Sequence, residues 1–473
     1  MGEKYYIFLF SIVLLNSFFQ VISNDKIVLP LYYINNSDKI GNYIEYLFQP
    51  QLYTKIKLGS PEQNIYLLIT TDSEYFSIEA DYINPKFYDS NISSTFTNTN
   101  NKINFYNERY KLGFKCLEQF YFLNDLNSLQ EGLYQNLSFD YIYELSEEYI
   151  NSKYYIDNQN NEISGIIGLE FPKSFTYNNF LSKLKNIGAI PKNIWSIIYF
   201  NSNPYLILGE DPYIDNNSEM KKTNCYSSGY YQHWYFLFSD IKVGDTKLNE
   251  ERIAQYSPQF GGVIGTNEYK NYIKINFFDD LIKKGKCFEK NITSNYKIYS
   301  YYECDIDINL NNFKPIEFIH QELSYKFILD KNDLFIDFND RKYFLCIFLE
   351  ESDYSYQNTK NWIFGLPFIK KYNFVFDQDS KMILFYDKEN SSKNIESNIE
   401  SSEDSSLSIG IIIFLGVFTG LILLYLLIKF IFKPKQIKAN ELEDSFRYKN
   451  QGSLNNQDIM NSIYNSKYNQ LGI

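Results

Sequence analysis

Two apolar runs in this chain end on side chains that carry oxygen. Leu67-Leu68-Ile69 leads into Thr70-Thr71-Asp72, and Ala254-Gln255-Tyr256 leads into Ser257-Pro258-Gln259-Phe260-Gly261. Two chemistries use such residues. In the first, two carboxylates held close together share one proton, because like charges so near cannot both ionise; the ionised member deprotonates a water and the protonated member donates to a carbonyl. In the second, a hydroxyl attacks and needs a positioned base. The carboxylates for the first are missing. No Asp occurs from Lys39 to Thr71 or from Thr246 to Phe278, so no shift of register supplies one. Asp72 is the near candidate, two residues past Thr70, and reads as a solvated loop residue. For the second, His233 and His320 are the only histidines of the chain, and nothing in the sequence sets either beside Ser257. The five cysteines are dispersed, so no metal cluster and no cofactor is expected.

The elements that must position these residues read as strands. Tyr53–Leu58, Ile65–Thr70, Phe120–Leu123, Tyr205–Leu208, Tyr235–Val243 and Met382–Tyr386 are short apolar or alternating runs bounded by Gly, Asn, Asp or Pro. Helical windows are few: Asn179–Ile187, Glu268–Phe277 and Asp279–Lys284. Many short strands with few helices predict an all-β protein. The net charge of −12 argues against a nucleic-acid partner.

The ends carry their own signals. Residues 1–23 have Lys4, an apolar run from Tyr5 to Leu15 and a Val21-Ile22-Ser23 close, the pattern of a secretory signal peptide. Leu407–Ile428 is 22 residues without a charge, long enough to cross a bilayer core as a helix. Lys429, Lys433, Lys435 and Lys438 follow it, which predicts a cytosolic C-terminus. Asn35, Asn91, Asn136, Asn216, Asn291 and Asn390 each open an Asn-x-Ser/Thr sequon, all ahead of that span, in agreement with a type I membrane glycoprotein of the secretory pathway. Residues 388–406 have the polar composition of a stalk, and 429–473 form a polar tail. In that tail Tyr468 and Leu471 have the Tyr-x-x-hydrophobic spacing of an adaptor-binding sorting signal, which points to the cell surface or an endolysosomal membrane.

Five blocks between residues 53 and 387 resemble the pepsin-like (A1) aspartic protease family. Tyr53 through Leu58 with Gly59-Ser60-Pro61-Glu62-Gln63 is similar to its first strand pair and turn. Ser164-Gly165-Ile166-Ile167-Gly168-Leu169 resembles the strand that threads behind the first active-site loop. Pro191 through Ile197 with Leu206-Ile207-Leu208-Gly209 resembles the end of the first lobe. Trp234 through Gly244 resembles the opening of the second. Trp362-Ile363-Phe364-Gly365-Leu366-Pro367 with Phe374-Val375-Phe376-Asp377 is similar to the closing block.

The resemblance implies a bilobal all-β fold with a central cleft for extended peptides or protein loops. The N-terminal lobe is expected over 24–209 and the C-terminal lobe over 210–387. It puts Thr70 and Ser257 where the family has its two catalytic Asp residues, so both catalytic positions are expected to be degenerate and the chain to be a pseudoprotease. The alternative is an active membrane-bound endopeptidase with a nonstandard site. Tyr106 stands at the tyrosine of the hairpin that closes over substrate in the family; ordinary strand packing is the competing reading. Cys304 and Cys346 sit at positions resembling a C-terminal-lobe disulfide. Cys116, Cys225 and Cys287 remain, two of which could pair, and the sequence does not choose.

Overall fold

The computed structural model describes residues 26–33, 47, 52–79, 88–104, 110–123, 131–145, 163–172, 178–200, 202–213, 220–228, 231–232, 234–248, 252–294, 297–350 and 361–387. They are mostly strands, as the alternating runs predict. Leu52–Leu58 shows why: its side chains alternate between buried and less buried, with Leu52, Thr54, Ile56 and Leu58 turned inward. Gln63–Thr70 is buried along nearly its whole second half, as befits a strand covered on both faces.

Each half of the chain builds the same four-strand unit. In the first, Gln63–Thr70 pairs in parallel with Gly165–Gly168, which pairs antiparallel with Phe76–Glu79, which runs parallel to Glu131–Leu145. In the second, Arg252–Tyr256 pairs in parallel with Trp362–Phe364, which pairs antiparallel with Val263–Gly265, which runs parallel to Cys346–Leu349. A strand drawn from late in each half thus threads between two strands from its beginning.

A six-stranded platform joins the halves. Its order is Ile27–Tyr33, Asn203–Leu208, Ile194–Phe200, Asn373–Asp377, Met382–Tyr386 and Lys221–Asn224. Phe376 lies opposite Trp195, and Thr223 opposite Ile383, so strands from both halves share one sheet. The platform is continuous with the first unit through Ile27–Tyr33 and Leu52–Leu58, giving a 13-stranded sheet among the described residues. Its core is aromatic. Trp195 stacks on Phe376 at 4.1 Å and meets Trp234 edge-on at 5.7 Å, while Tyr256 lies 4.7 Å from Phe376.

The helical windows fold as Phe180–Asn186, Asn267–Ile273 continued by a π-turn over Lys274–Phe278, and Asp279–Lys283. Among the described residues, Lys331–Leu334 and Leu366–Lys371 are helices that the sequence does not predict. The run Tyr235–Val243 is one apolar stretch but two strands. Ser239 donates both its N–H and its hydroxyl to the Ile319 carbonyl, and the break sends Tyr235–Phe238 to Arg252–Tyr256 and Asp240–Val243 to Ile316–His320.

Candidate functional site

The two oxygen-bearing runs end at equivalent places. Thr70 is the last residue of Gln63–Thr70, and Ser257 follows the last residue of Arg252–Tyr256. Each strand end is held by the strand threaded beside it. The Leu169 N–H donates to the Thr70 carbonyl at 2.8 Å, and the Ser257 N–H donates to the Phe364 carbonyl at 2.9 Å. The loops that follow turn back over a glycine. Gly168 donates to the Tyr75 carbonyl at 2.8 Å, and Gly365 donates to the Gly262 carbonyl at 3.1 Å. A Cβ at Gly168 would lie 2.3 Å from the Ser73 carbonyl oxygen; one at Gly365 would lie 2.1 Å from that of Phe260. No side chain fits at either position, so both loops lie directly on a bare backbone.

These loops meet each other. The Thr71 hydroxyl donates to the Tyr256 carbonyl at 2.7 Å, in a contact buried from solvent. The Thr71 N–H donates to Gln259 Oε1 at 3.3 Å. The residue after Thr70 therefore grips the residue before Ser257, and the two strand ends share one junction. Pro258 holds the place after Ser257 that Thr71 holds after Thr70. It has neither hydroxyl nor N–H, so it cannot return the grip.

Asp72 is exposed, as its reading as a loop residue predicts, but it is engaged across the junction. One carboxylate oxygen accepts from Gln255 Nε2 and the other from Gln259 Nε2. Its N–H donates to the Thr70 hydroxyl at 3.1 Å. Gln255 and Gln259 were not singled out in the sequence. Gln255 lies on the strand and Gln259 in the turn that follows Ser257, closed by the Phe260 N–H on the Ser257 carbonyl, so it is the turn, which no strand period announces, that brings the second amide back to Asp72.

Thr70 and Ser257 are both almost fully buried, at 5 % and 4 % exposure. The junction thus assembles two hydroxyls, a carboxylate that accepts hydrogen bonds from two amides, and an ordered floor. Beneath it Phe171 packs on Trp234 at 4.1 Å, and the Trp234 indole N–H donates to the Leu169 carbonyl at 2.7 Å.

The remaining predicted residues fall elsewhere. His320 is 2 % exposed at the end of Ile316–His320, beside Phe238, and does not join the loops. Asn91 and Asn291 are exposed, on a turn and on the strand Cys287–Ser294. Asn136 lies on Glu131–Leu145. Tyr106, His233, Asn35, Asn216, Asn390, Tyr468 and Leu471 lie outside the described residues, as do the signal segment and Leu407–Ile428. Among the described residues no helix is long and apolar enough to cross a membrane, and no group of residues could hold a metal ion.

The expected disulfide between Cys304 and Cys346 is corrected. Cys304 bonds Cys287, because the antiparallel pairing of Cys287–Ser294 with Lys297–Asp305 sets these two directly opposite, Cα atoms 3.9 Å apart. Cys346 sits on Cys346–Leu349 as a buried free thiol, its Sγ against the backbone of Gly265. Cys116 and Cys225 are also buried and free; burial pushes the Cys116 thiol up to about 12 and Cys225 higher still, so neither is poised as a nucleophile.

No curated protein matches the chain at a significant level. A family model does: that of the eukaryotic aspartyl proteases, over residues 51–387. The match spans both four-strand units, both loops and most of the platform, and on it the chain belongs to the eukaryotic aspartyl protease family.

Proposed function

We propose that this protein is a type I membrane glycoprotein that keeps the peptide-binding architecture of its family without the cleavage chemistry. The observation that supports the reading is the make-up of the junction. Family chemistry needs one acid on each loop, sharing a proton. Thr70, at the end of one strand, and Ser257, directly after the other, stand there instead, and a hydroxyl cannot act as the acid or the base of such a pair near neutral pH. The carboxylate that reaches the junction, Asp72, is bridged by Gln255 and Gln259, with no second acid on the opposite loop segment Ser257–Gly261 to share its proton. What the cleft would retain is recognition of extended peptides or protein loops.

Membrane anchoring rests on the uncharged run Leu407–Ile428, and glycosylation on the one-sided distribution of sequons, of which Asn91 and Asn291 are exposed. Residence at the cell surface or in endolysosomal membranes, with a sorting adaptor at Tyr468–Leu471, follows from the tail sequence.

The deciding experiment incubates the purified protein with an extended-peptide library at acidic pH, with and without a transition-state-mimicking aspartic protease inhibitor. The expected result is no cleavage, together with retention of peptide or inhibitor. A second reading, an active endopeptidase with a nonstandard site, is favoured by the Asp72 carboxylate at the junction. Inhibitor-sensitive turnover that disappears in Asp72→Asn would establish it and overturn the first.

A further inference from the structure

A polar cavity lies where the turn after Ile316–His320 meets the platform. Its volume is about 380 Å³, and its walls include Thr223, Cys225, Tyr226, His320 and Glu322. Glu322 is the residue that carries a charge among the described residues lining it. The Thr223 hydroxyl donates to Glu322 Oε2, which ties the turn to Lys221–Asn224. Among the described residues that strand is the last of the 13-stranded sheet and has a ladder on one side, to Met382–Tyr386.

His320 governs the turn. Its Nδ1 accepts the Leu323 N–H at 3.4 Å, and the Ser324 N–H donates to the Gln321 carbonyl at 3.0 Å. With Nδ1 an acceptor, the proton of the neutral imidazole sits on Nε2. Nε2 is buried and has no hydrogen-bond partner among the described residues, and the ring lies edge-on to Phe238 at 5.7 Å. The imidazole is thus neutral, with one nitrogen holding the turn and the other buried away from water.

We propose that His320 is an acid-operated latch: protonating Nδ1 sets one N–H against the Leu323 N–H, opens the Gln321–Ser324 turn, withdraws Glu322 from Thr223 and frees the outermost strand of the platform. The proton comes from solvent and no bond other than N–H forms. The charged and titratable groups facing the ring define its acid range. Glu322, on the turn itself, favours the charged ring, while Cys225 and Tyr226, on the platform side, offer it no charge when neutral. Burial disfavours the charged form and outweighs Glu322, holding the imidazole down to about 4. The latch therefore responds to strong acidity and stays closed near neutrality.

The test is amide hydrogen exchange on the full-length protein, at neutral pH and below the His320 titration, corrected for the intrinsic pH dependence of exchange. Exchange of the Gln321–Ser324 turn and of Lys221–Asn224 is expected to rise on the order of tenfold or more at acid pH, with the rest of the platform unchanged. In His320→Gln, which cannot take the proton, the two pH values should give the same exchange. Unchanged exchange in the wild type, or an acid response that persists in His320→Gln, overturns the latch. Should that variant not fold, the wild-type protein decides alone: the His320 resonance, followed by NMR, must titrate with the same midpoint as the exchange, and a mismatch overturns the proposal equally.

Discussion

The hydroxyl of Thr71 donates 2.7 Å across the junction to the main-chain carbonyl of Tyr256, and no equivalent bond returns from Pro258. The hydroxyl-to-main-chain bond between the two halves, alike in strand order, is therefore one-sided, while the amides of Gln255 and Gln259 donate back to Asp72. Thr71 is 1 % exposed, so its loss cannot be made good by water. Thr71→Val keeps the shape and removes the donor, leaving a buried carbonyl short of a partner. It should cost about 1–3 kcal/mol in urea unfolding, and Thr71→Ser should recover most of it. Equal stability of the valine variant would show that the grip contributes nothing.

Gly168 and Gly365 are expected to tolerate no side chain. A methyl group at either would sit against carbonyl oxygens of two residues, Ser73 and Tyr75 in one half, Phe260 and Gly262 in the other. Backbone on both sides cannot give way as a flexible side chain would. Gly168→Ala and Gly365→Ala should each cost at least the 1–3 kcal/mol usual for overpacking, read as loss of folded yield or a lowered unfolding midpoint. Near-wild-type midpoints would mean that the loops have room that the structure does not show.

These positions also mark what was legible in the sequence. The apolar approach to Thr70, the two glycine strands and the closing block at Trp362–Asp377 are local patterns, and the structure uses them where they were read. The clasp on Asp72 was not legible, because Gln255 and Gln259 lie 183 and 187 residues away, and a lone Asp in a polar loop looks solvated. Tyr235–Val243 misled for a different reason: composition does not reveal that Ser239 hands the chain from one sheet to another. The disulfide was misassigned because pairing depends on the register of a hairpin, which resemblance to a family does not carry.

Peptide mapping under non-reducing conditions should recover Cys287 linked to Cys304, with Cys116, Cys225 and Cys346 alkylated only after unfolding. The bridge closes a loop of 17 residues, for which the chain-entropy estimate is about 3 kcal/mol. Cys287→Ser should lower stability by roughly that amount, whereas Cys346→Ser should leave the bridge intact. A recovered Cys304–Cys346 peptide would reverse this assignment.

Stability should fall with acid through His320. Burial lowers its imidazole from the usual 6.5 to about 4. Between those values the unfolded chain takes up a proton that the folded one refuses, so stability is full above 6.5, declines as the pH falls through this window, and loses no more from this group below about 4. The contribution is about 3 kcal/mol at most. Urea midpoints compared across the window should show a slope in the wild type that is smaller in His320→Gln; identical slopes would show that His320 is not the group responsible.

The placing of Met382–Tyr386 has a mechanical consequence. This strand is flanked on one side by Asn373–Asp377 and on the other by Lys221–Asn224, both antiparallel to it. Hydrogen bonds between antiparallel strands lie across the strand axis. A force applied to the chain beyond Asp387 and directed along this strand loads both ladders in shear, many bonds at once, rather than peeling them one by one. The platform that unites the two halves is thus also a brace against tension arriving from the polar segment that follows.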